Sequence, residues 1–245
     1  MGIGIDNLLS LKDKVVVITG TSRGLGLEIA KKFLSVNSIV VGASRNSVSL
    51  GGNYFHYYLD LNSICSIEKF SLEIRNMFHY IDVLVHNASV PGFGGISDVS
   101  LKQWNEVMNV NIRGPLFLTK MLLQSFNDNG SIIFVSTIIT NKIKRNKLLY
   151  SVSKGAINIL VKNLSLELAE RNIRVNTISP TIMETSFRNN IDYIKNNFDK
   201  IISETPLKRI CKKEEVANSV LFLSSKLAYG ITGINLKVDL GRSLI

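Results

Sequence analysis

Seven short apolar runs rich in β-branched residues punctuate the chain, at 15–18, 39–41, 54–59, 81–85, 132–135, 175–178 and 234–238. Apart from the last, Ile234-Asn235-Leu236-Lys237-Val238, none shows the sustained alternation of apolar and polar positions that marks a sheet with one wet face. The others therefore suit strands covered on both sides, as parallel sheets require. Between the runs the apolar period lengthens to that of a helix. Ile67, Phe70, Ile74 and Phe78 form one stripe, and Ile157, Leu160, Val161, Leu164 and Leu168 form another. Alternation of this kind from end to end predicts an α/β fold, a doubly wound parallel sheet of about seven strands with helices on both faces.

No linker rich in Pro, Gly or Ser and no internal repeat interrupts the pattern, so residues 1–245 read as a single domain. The stretch 181–209 departs from it. Apolar residues thin out there, Asn, Lys and Asp gather around Ile191, Tyr193, Ile194 and Phe198, and no strand is readable. A loop that long is expected to act as a substrate lid. At 245 residues and 45% hydrophobic, the chain can bury a large core without added staples.

Cys65 and Cys211 lie far from one another and from any His cluster, which predicts neither a disulfide framework nor a metal site. No run reaches the roughly 18 apolar residues of a membrane span, and the first residues lack a secretory pattern. Gly2 would permit myristoylation, but Asp6 stands where a Ser or Thr is required. A soluble, cytoplasmic protein without a membrane partner is expected.

The 29 Lys+Arg against 19 Asp+Glu give a net charge of +10. That balance invites a nucleic-acid reading, yet the basic residues are scattered through a chain crowded with Asn and Ile. No helix-turn-helix or aromatic–basic strand motif accompanies them, so no nucleic-acid partner is expected. One cluster stands out, since Lys142, Lys144, Arg145 and Lys147 fall within six residues. It reads either as a solvated loop or as an answer to an anionic substrate, and the solvated loop is the plainer reading.

Two constellations carry chemistry. The first strand runs into Thr19-Gly20-Thr21-Ser22-Arg23-Gly24-Leu25-Gly26, and a helix-period segment follows directly. Glycines between a buried strand and a helix let the backbone turn tightly and let a pyrophosphate approach the amides at the helix N-terminus, where the helix dipole favours an anion. This makes the sheet Rossmann-like and predicts a dinucleotide cofactor. In Tyr150-Ser151-Val152-Ser153-Lys154, the phenol and the ammonium stand four residues apart on one helix face. A tyrosine titrates near 10, too high for proton transfer at neutral pH. A charge about 4 Å away contributes roughly 4 kcal/mol at an effective dielectric of 20, enough to bring the phenol into range. Lys154 is therefore expected to lower the pKa of Tyr150.

Taken together, these residues resemble the short-chain dehydrogenase/reductase family over essentially the whole chain, and within it most of all the 3-oxoacyl-carrier-protein reductases. Asp60, followed by Leu61, looks like the family's adenine-contacting acid. His86-Asn87-Ala88-Ser89 stands where the family usually has Asn-Asn-Ala-Gly, Asn111 matches a catalytic asparagine, and Thr137 precedes Tyr150 by the interval usual for a catalytic serine. Pro180 and Ile182 follow the sixth strand, and Thr185 fits the threonine that meets the nicotinamide amide. The C-terminal pattern of Glu215, Ala217, Leu223, Ser224, Gly233 and Asp239 agrees.

The resemblance implies catalytic roles for Asn111, Thr137, Tyr150 and Lys154, with Ser136 as the alternative hydroxyl. It implies a cofactor site built from Gly20, Ser22, Arg23, Gly24, Leu25, Gly26, Ser44, Arg45, Asp60, Leu61, Asn87, Ala88, Tyr150, Lys154, Pro180, Ile182 and Thr185. The expected reaction passes hydride between a nicotinamide and a small or acyl-linked carbonyl. Relatives that use NAD place an acid at the end of the second strand. Here Ser44 takes that place, with Arg45 beside it and Arg23 in the glycine turn, so NADP(H) is the expected cofactor.

Several residues depart from the family pattern. Thr137 replaces Ser but keeps the hydroxyl. His86 and Ser89 are expected to alter the turn beside the cofactor. Thr181 replaces a Gly, and Leu240 interrupts a Gly-Gly pair. These point to a specialised pathway. The alternatives are a 3-oxoacyl-carrier-protein reductase of fatty-acid synthesis and a non-catalytic NADP-binding regulatory protein. A carrier protein would dock on two arginines. Arg171 matches the first, but Asn127-Asp128-Asn129 occupies the second, and Asp128 would repel an acidic carrier. By kinship a homo-oligomer is expected, tetramer or dimer, pairing long helices at 103–126 and 151–171. Substrate choice falls to the lid with Phe187, Ile191 and Tyr193, to 140–149, and to 90–96, whose Pro91-Gly92-Phe93-Gly94-Gly95 suggests a mobile rim.

Overall fold

The computed structural model describes residues 9–183 and 194–245. Seven strands form one sheet: β1 (Val15–Thr19), β2 (Ile39–Ser44), β3 (Tyr54–Tyr58), β4 (Ile81–His86), β5 (Phe126–Val135), β6 (Arg174–Pro180) and β7 (Asn235–Val238). Their order across the sheet is β3-β2-β1-β4-β5-β6-β7, and every neighbouring pair is parallel. All seven strands read from the sequence are present.

Successive side chains of a strand leave opposite faces, so one apolar run feeds two cores. On β1, Val16 and Ile18 join Ile29, Phe33, Val220 and Leu223 on one side, while Val17 joins Ile67, Phe70, Leu118 and Val161 on the other. The first core is covered by α1 (Gly24–Ser35) and α7 (Lys213–Ser224). The second is covered by α2 (Ile64–Met77), α4 (Gly114–Leu122) and α5 (Leu148–Glu167). The predicted stripes are the buried faces of α2 and α5, save that Phe78 and Leu160 are only partly covered. Because the chain travels outward from β1 to β3 and then returns to β4, a crevice opens at the carboxyl ends of β1 and β4.

Two elements differ from expectation. The helix expected as one rod over 103–126 is α3 (Leu101–Met108), a π turn (Asn109–Arg113), α4 and a 3₁₀ turn. Strand β5 begins at Phe126 rather than Ile132. Phe126 pairs with Ile81, and the ladder shifts register before Ser131, around Asn129 with φ at 64°. Segment 181–209 contains α6 (Phe198–Ser203), and Met183 bridges to Cys211. Among the described residues no helix is long and apolar enough to cross a membrane, and no His, Cys, Asp and Glu cluster could hold a metal.

Candidate active site

β1 delivers the chain into a turn whose Gly20 and Gly24 have φ of 76° and 62°, a left-handed conformation that favours glycine. At Gly26 the constraint is space. A Cβ there would lie 2.2 Å from the Gly20 carbonyl oxygen and 2.4 Å from Asn87 Nδ2. Asn87 Nδ2 donates to the carbonyls of Thr19 (3.0 Å) and Gly20 (3.2 Å), while Thr19 Oγ1 accepts from the amides of Asn87 and Ala88, both at 3.1 Å. The glycine turn and the loop after β4 are thus one braced unit. Arg23 is the N-cap of α1 and supplies no side-chain cap. The first-turn amides of α1 therefore meet the cleft with the positive end of the helix dipole, a place for phosphate.

The cleft encloses about 1070 Å³ and runs from the ends of β2 and β3 to the start of α5. Apart from Asn111 and Thr185, every sequence-predicted site residue lines it. Thr185 lies outside the described residues, as do Phe187, Ile191 and Tyr193. At one end stand Ser44 and Arg45, with Asp60 and Leu61 after β3 and Arg23 from the glycine turn. Asp60 Oδ1 accepts from the Asn62 amide at 3.0 Å. Behind Ser44 runs a string of polar groups that sequence reading missed. Ser44 Oγ lies 3.5 Å from His56 Nε2, His56 Nδ1 3.0 Å from Tyr54 Oη, and Tyr54 Oη 3.0 Å from Thr21 Oγ1. Gly42 makes room for it, since a Cβ there would meet Tyr54 Oη at 2.0 Å. Burial lowers the His56 pKa and raises that of Tyr54, which favours the neutral form of each. The positive charge contributed by β2 and the glycine turn is therefore that of Arg23 and Arg45. A helix start without a side-chain cap, glycine clearances and a cleft of this length fit a dinucleotide.

At the other end, α5 carries Tyr150 and Lys154, the turn after β5 carries Ser136 and Thr137, and Pro180 ends β6 with Thr181 and Ile182 just beyond. The two hydroxyls after β5 separate by geometry. Ser136 Oγ is buried and donates to the Lys154 carbonyl at 3.3 Å. Thr137 Oγ1 accepts from the Ile139 amide at 3.4 Å and retains its proton to donate toward the cleft. The hydroxyl that can meet a carbonyl oxygen is that of Thr137.

The expected pKa of Tyr150 needs correction. Packing around the phenol pushes it up to about 12, and burial pushes Lys154 down to about 8. The reason is where the ammonium points. Lys154 Nζ donates to the Val135 carbonyl at 2.8 Å and lies 5.8 Å from the centre of the Tyr150 ring. Desolvation outweighs attraction in this arrangement. Tyr150 consequently holds its proton at neutral pH, the state a proton donor requires.

Asn111 sits in the π turn and is 1% exposed, away from the cleft surface. Its amide accepts from the Val90 amide (2.9 Å) and donates to the Val90 carbonyl (3.0 Å) and Ser153 Oγ (3.0 Å). It therefore positions the loop after β4 against α5. The rim at 90–96 is anchored rather than free. Gly94 donates its amide to Asn146 O at 3.0 Å, Gln103 Nε2 donates to Phe93 O at 2.6 Å, and Lys147 Nζ lies 3.6 Å from the centre of the Phe93 ring. All four residues of the basic cluster line the cleft, Arg145 exposed and Lys142, Lys144 and Lys147 half-buried.

A family model described as enoyl-(acyl carrier protein) reductase matches residues 20–243. The chain belongs to the short-chain dehydrogenase/reductase family. It is 32% identical to a 3-oxoacyl-(acyl-carrier-protein) reductase of Buchnera aphidicola, over 97% of this chain and all of that one. It is 31% identical to dehydrogenase/reductase SDR family member 4 of Oryctolagus cuniculus, over 94% of each. Among solved structures, the ligand-free aldohexose dehydrogenase of Thermoplasma acidophilum superposes with a TM-score of 0.88 at 30% identity, covering 97% of each chain. A Brucella melitensis family member superposes at 0.90 with 27% identity, covering 96% of this chain and 98% of that one.

His86, expected to alter the cofactor turn, instead turns away from it. Its ring is 4% exposed, packs on Phe134 at 4.4 Å and hydrogen-bonds Thr119 Oγ1 at 2.8 Å. Burial lowers its pKa from 6.5 to about 3. Between those values the unfolded chain binds a proton that the folded one refuses, so stability falls as pH drops below 6.5. Urea unfolding is expected to show a loss of about 1.4 kcal/mol per pH unit from this group between pH 6 and 4. His86→Asn should flatten the curve by one proton; coincident slopes for variant and parent would refute the assignment.

Proposed function

We propose that this protein is an NADPH-dependent carbonyl reductase. The observation that carries the reading is one cleft with two arginines and no carboxylate from β2 and the glycine turn at one end, and Tyr150, Lys154 and Thr137 at the other. A bound NADPH would supply hydride to the carbonyl carbon. The glycine turn and the α1 amides would grip its pyrophosphate, Arg23, Ser44 and Arg45 its 2′-phosphate, and Asp60 and Leu61 its adenine side. Thr137 would donate a hydrogen bond to the carbonyl oxygen as charge builds there, and Tyr150 would deliver the proton. Lys154, with a pKa of about 8, would restore that proton, and Asn111 would hold the surrounding loop in place.

The test is nicotinamide absorbance with a panel of ketones and either NADPH or NADH. Turnover with NADPH at a clearly higher kcat/KM is expected; no turnover of any ketone would favour a cofactor-binding protein without catalysis. The Buchnera relative supports 3-oxoacyl-carrier-protein reduction as a second reading. Against it, Arg171 donates to Asp128 Oδ1 at 2.8 Å, to Leu123 O at 2.9 Å and to Phe126 O. The arginine that would meet an acidic carrier is thus committed within its own chain. Self-association is supported by apolar Val152, Ile159 and Leu166, exposed every seven residues along α5. A cytoplasmic setting suits a protein drawing on NADPH.

A further inference from the structure

Where the cleft passes the chain's C-terminal turn, a side pocket of about 250 Å³ opens between the 142–145 segment and α6. Its lining is unbalanced in charge. Lys142, Lys144, Arg145, Lys200 and Arg242 contribute five cations, and Glu204 contributes the one carboxylate among the described lining residues. Four of the cations, Lys142, Lys144, Arg145 and Arg242, also line the main cleft, so they stand on the wall the two spaces share.

Arg242 is the key group. It is 2% exposed and gives Nη2 to Glu204 Oε2 at 2.7 Å, but its buried Nη1 has no hydrogen-bond partner among the described residues. A buried guanidinium N–H without an acceptor costs on the order of 1–3 kcal/mol, so an acceptor brought to Nη1 by a local shift of the pocket wall would be stabilising. Glu204 cannot serve the whole cluster. It is bonded to Arg242, lies 3.9 Å from Lys142 Nζ, and is held below the usual carboxylate range by the Arg242 hydrogen bond and the neighbouring Lys142 and Lys144 charges. Lys142 Nζ also donates to the Ile245 main-chain oxygen at 2.7 Å, which fixes it on the pocket wall. Lys147, by contrast, is engaged over Phe93 and stays outside this pocket.

We propose that the pocket binds an oxyanion carried by the substrate, so that the preferred substrate is a carbonyl compound with its own carboxylate or phosphate. The oxyanion sits against the cationic wall that Arg242 shares and is neutralised by Lys144 and Arg145 while the carbonyl lies at Tyr150 and Thr137. This site is separate from the arginines at the far end of the cleft and rests on the carbonyl-reductase reading for its second half only.

The experiment compares levulinate with methyl levulinate, and dihydroxyacetone phosphate with dihydroxyacetone, as substrates with NADPH, and measures levulinate and inorganic phosphate binding by calorimetry without cofactor. The charged member of at least one pair should have a kcat/KM about tenfold or more higher, the usual scale of a charge-assisted hydrogen bond. In the variant carrying Lys144→Gln and Arg145→Gln, both exposed enough to be replaced without disturbing the core, that advantage should shrink about tenfold. Binding of levulinate or phosphate should weaken in parallel. A response to phosphate but not carboxylate would identify the oxyanion. Equal kcat/KM within both pairs, or equal losses for charged and neutral ketones in the variant, would overturn the proposal. Absence of turnover together with binding that depends on Lys144 and Arg145 would keep the anion site and overturn the reductase reading instead.

Discussion

Tyr150→Phe is expected to lower kcat about a hundred- to ten-thousandfold, the range contributed by a positioned proton donor, while the Kd for NADPH changes less than about threefold. The substitution removes one oxygen and leaves the ring, so the wall of the cleft and the packing around Lys154 stay as they are. Single-turnover kinetics with saturating NADPH would separate the chemical step from product release, and fluorescence titration would give the Kd. Retention of more than about a tenth of the parent rate would remove Tyr150 from the chemistry. Because burial holds the phenol near 12 and Lys154 near 8, the two directions should differ in pH response. Reduction begins with the proton already on Tyr150. Oxidation must first take it off, and should therefore accelerate as pH rises.

The second large effect concerns the cofactor. In the variant carrying Arg23→Ala, Ser44→Asp and Arg45→Ala, the ratio of kcat/KM for NADPH over NADH should fall about a hundredfold or more. Each arginine–phosphate hydrogen bond is worth roughly 1.5–3 kcal/mol, which for two would allow up to about ten-thousandfold. Both arginines are exposed, so screening places the expectation near the lower figure. The new carboxylate adds repulsion toward a 2′-phosphate and offers an acceptor to a 2′-hydroxyl. A ratio unchanged within threefold would mean that the phosphate is recognised elsewhere.

Most of the frame was legible because its signals are local. Strands buried on both faces leave apolar runs with little alternation, which exposes the central strands in the sequence, while the half-buried β7 shows instead as the alternating Ile-Asn-Leu-Lys-Val. Glycines whose Cβ would strike Gly20 or Asn87 mark the turn in sequence as clearly as in space. What escaped depends on direction and on distant partners. A π turn at 109–113 keeps the composition of a helix and changes only which carbonyl each amide meets. The start of β5 hides behind Asn127-Asp128-Asn129-Gly130, turn residues that form the irregularity between the pairing of Phe126 with Ile81 and that of Ser131 with Val83. Sequence position alone predicts that His86 alters the turn beside the cofactor, but the side chain at the end of β4 leaves the opposite face and meets Thr119. Spacing placed Tyr150 and Lys154 on one face correctly. It could not show that the ammonium would turn to Val135, nor that Arg171 and Asp128 would find each other.

The string of hydroxyls and imidazole from Ser44 through His56 and Tyr54 to Thr21 joins two parts of the cleft that sequence motifs treat as separate. One end lies beside Ser44, proposed above to face the 2′-phosphate, and the other lies inside the glycine turn proposed to hold the pyrophosphate. Groups sharing one hydrogen-bonded chain do not contribute independently. On that reading, selectivity and grip are thermodynamically linked. An alteration at Ser44 that reorients His56 is transmitted to Thr21, and the free-energy effects of substitutions at the two ends will not sum.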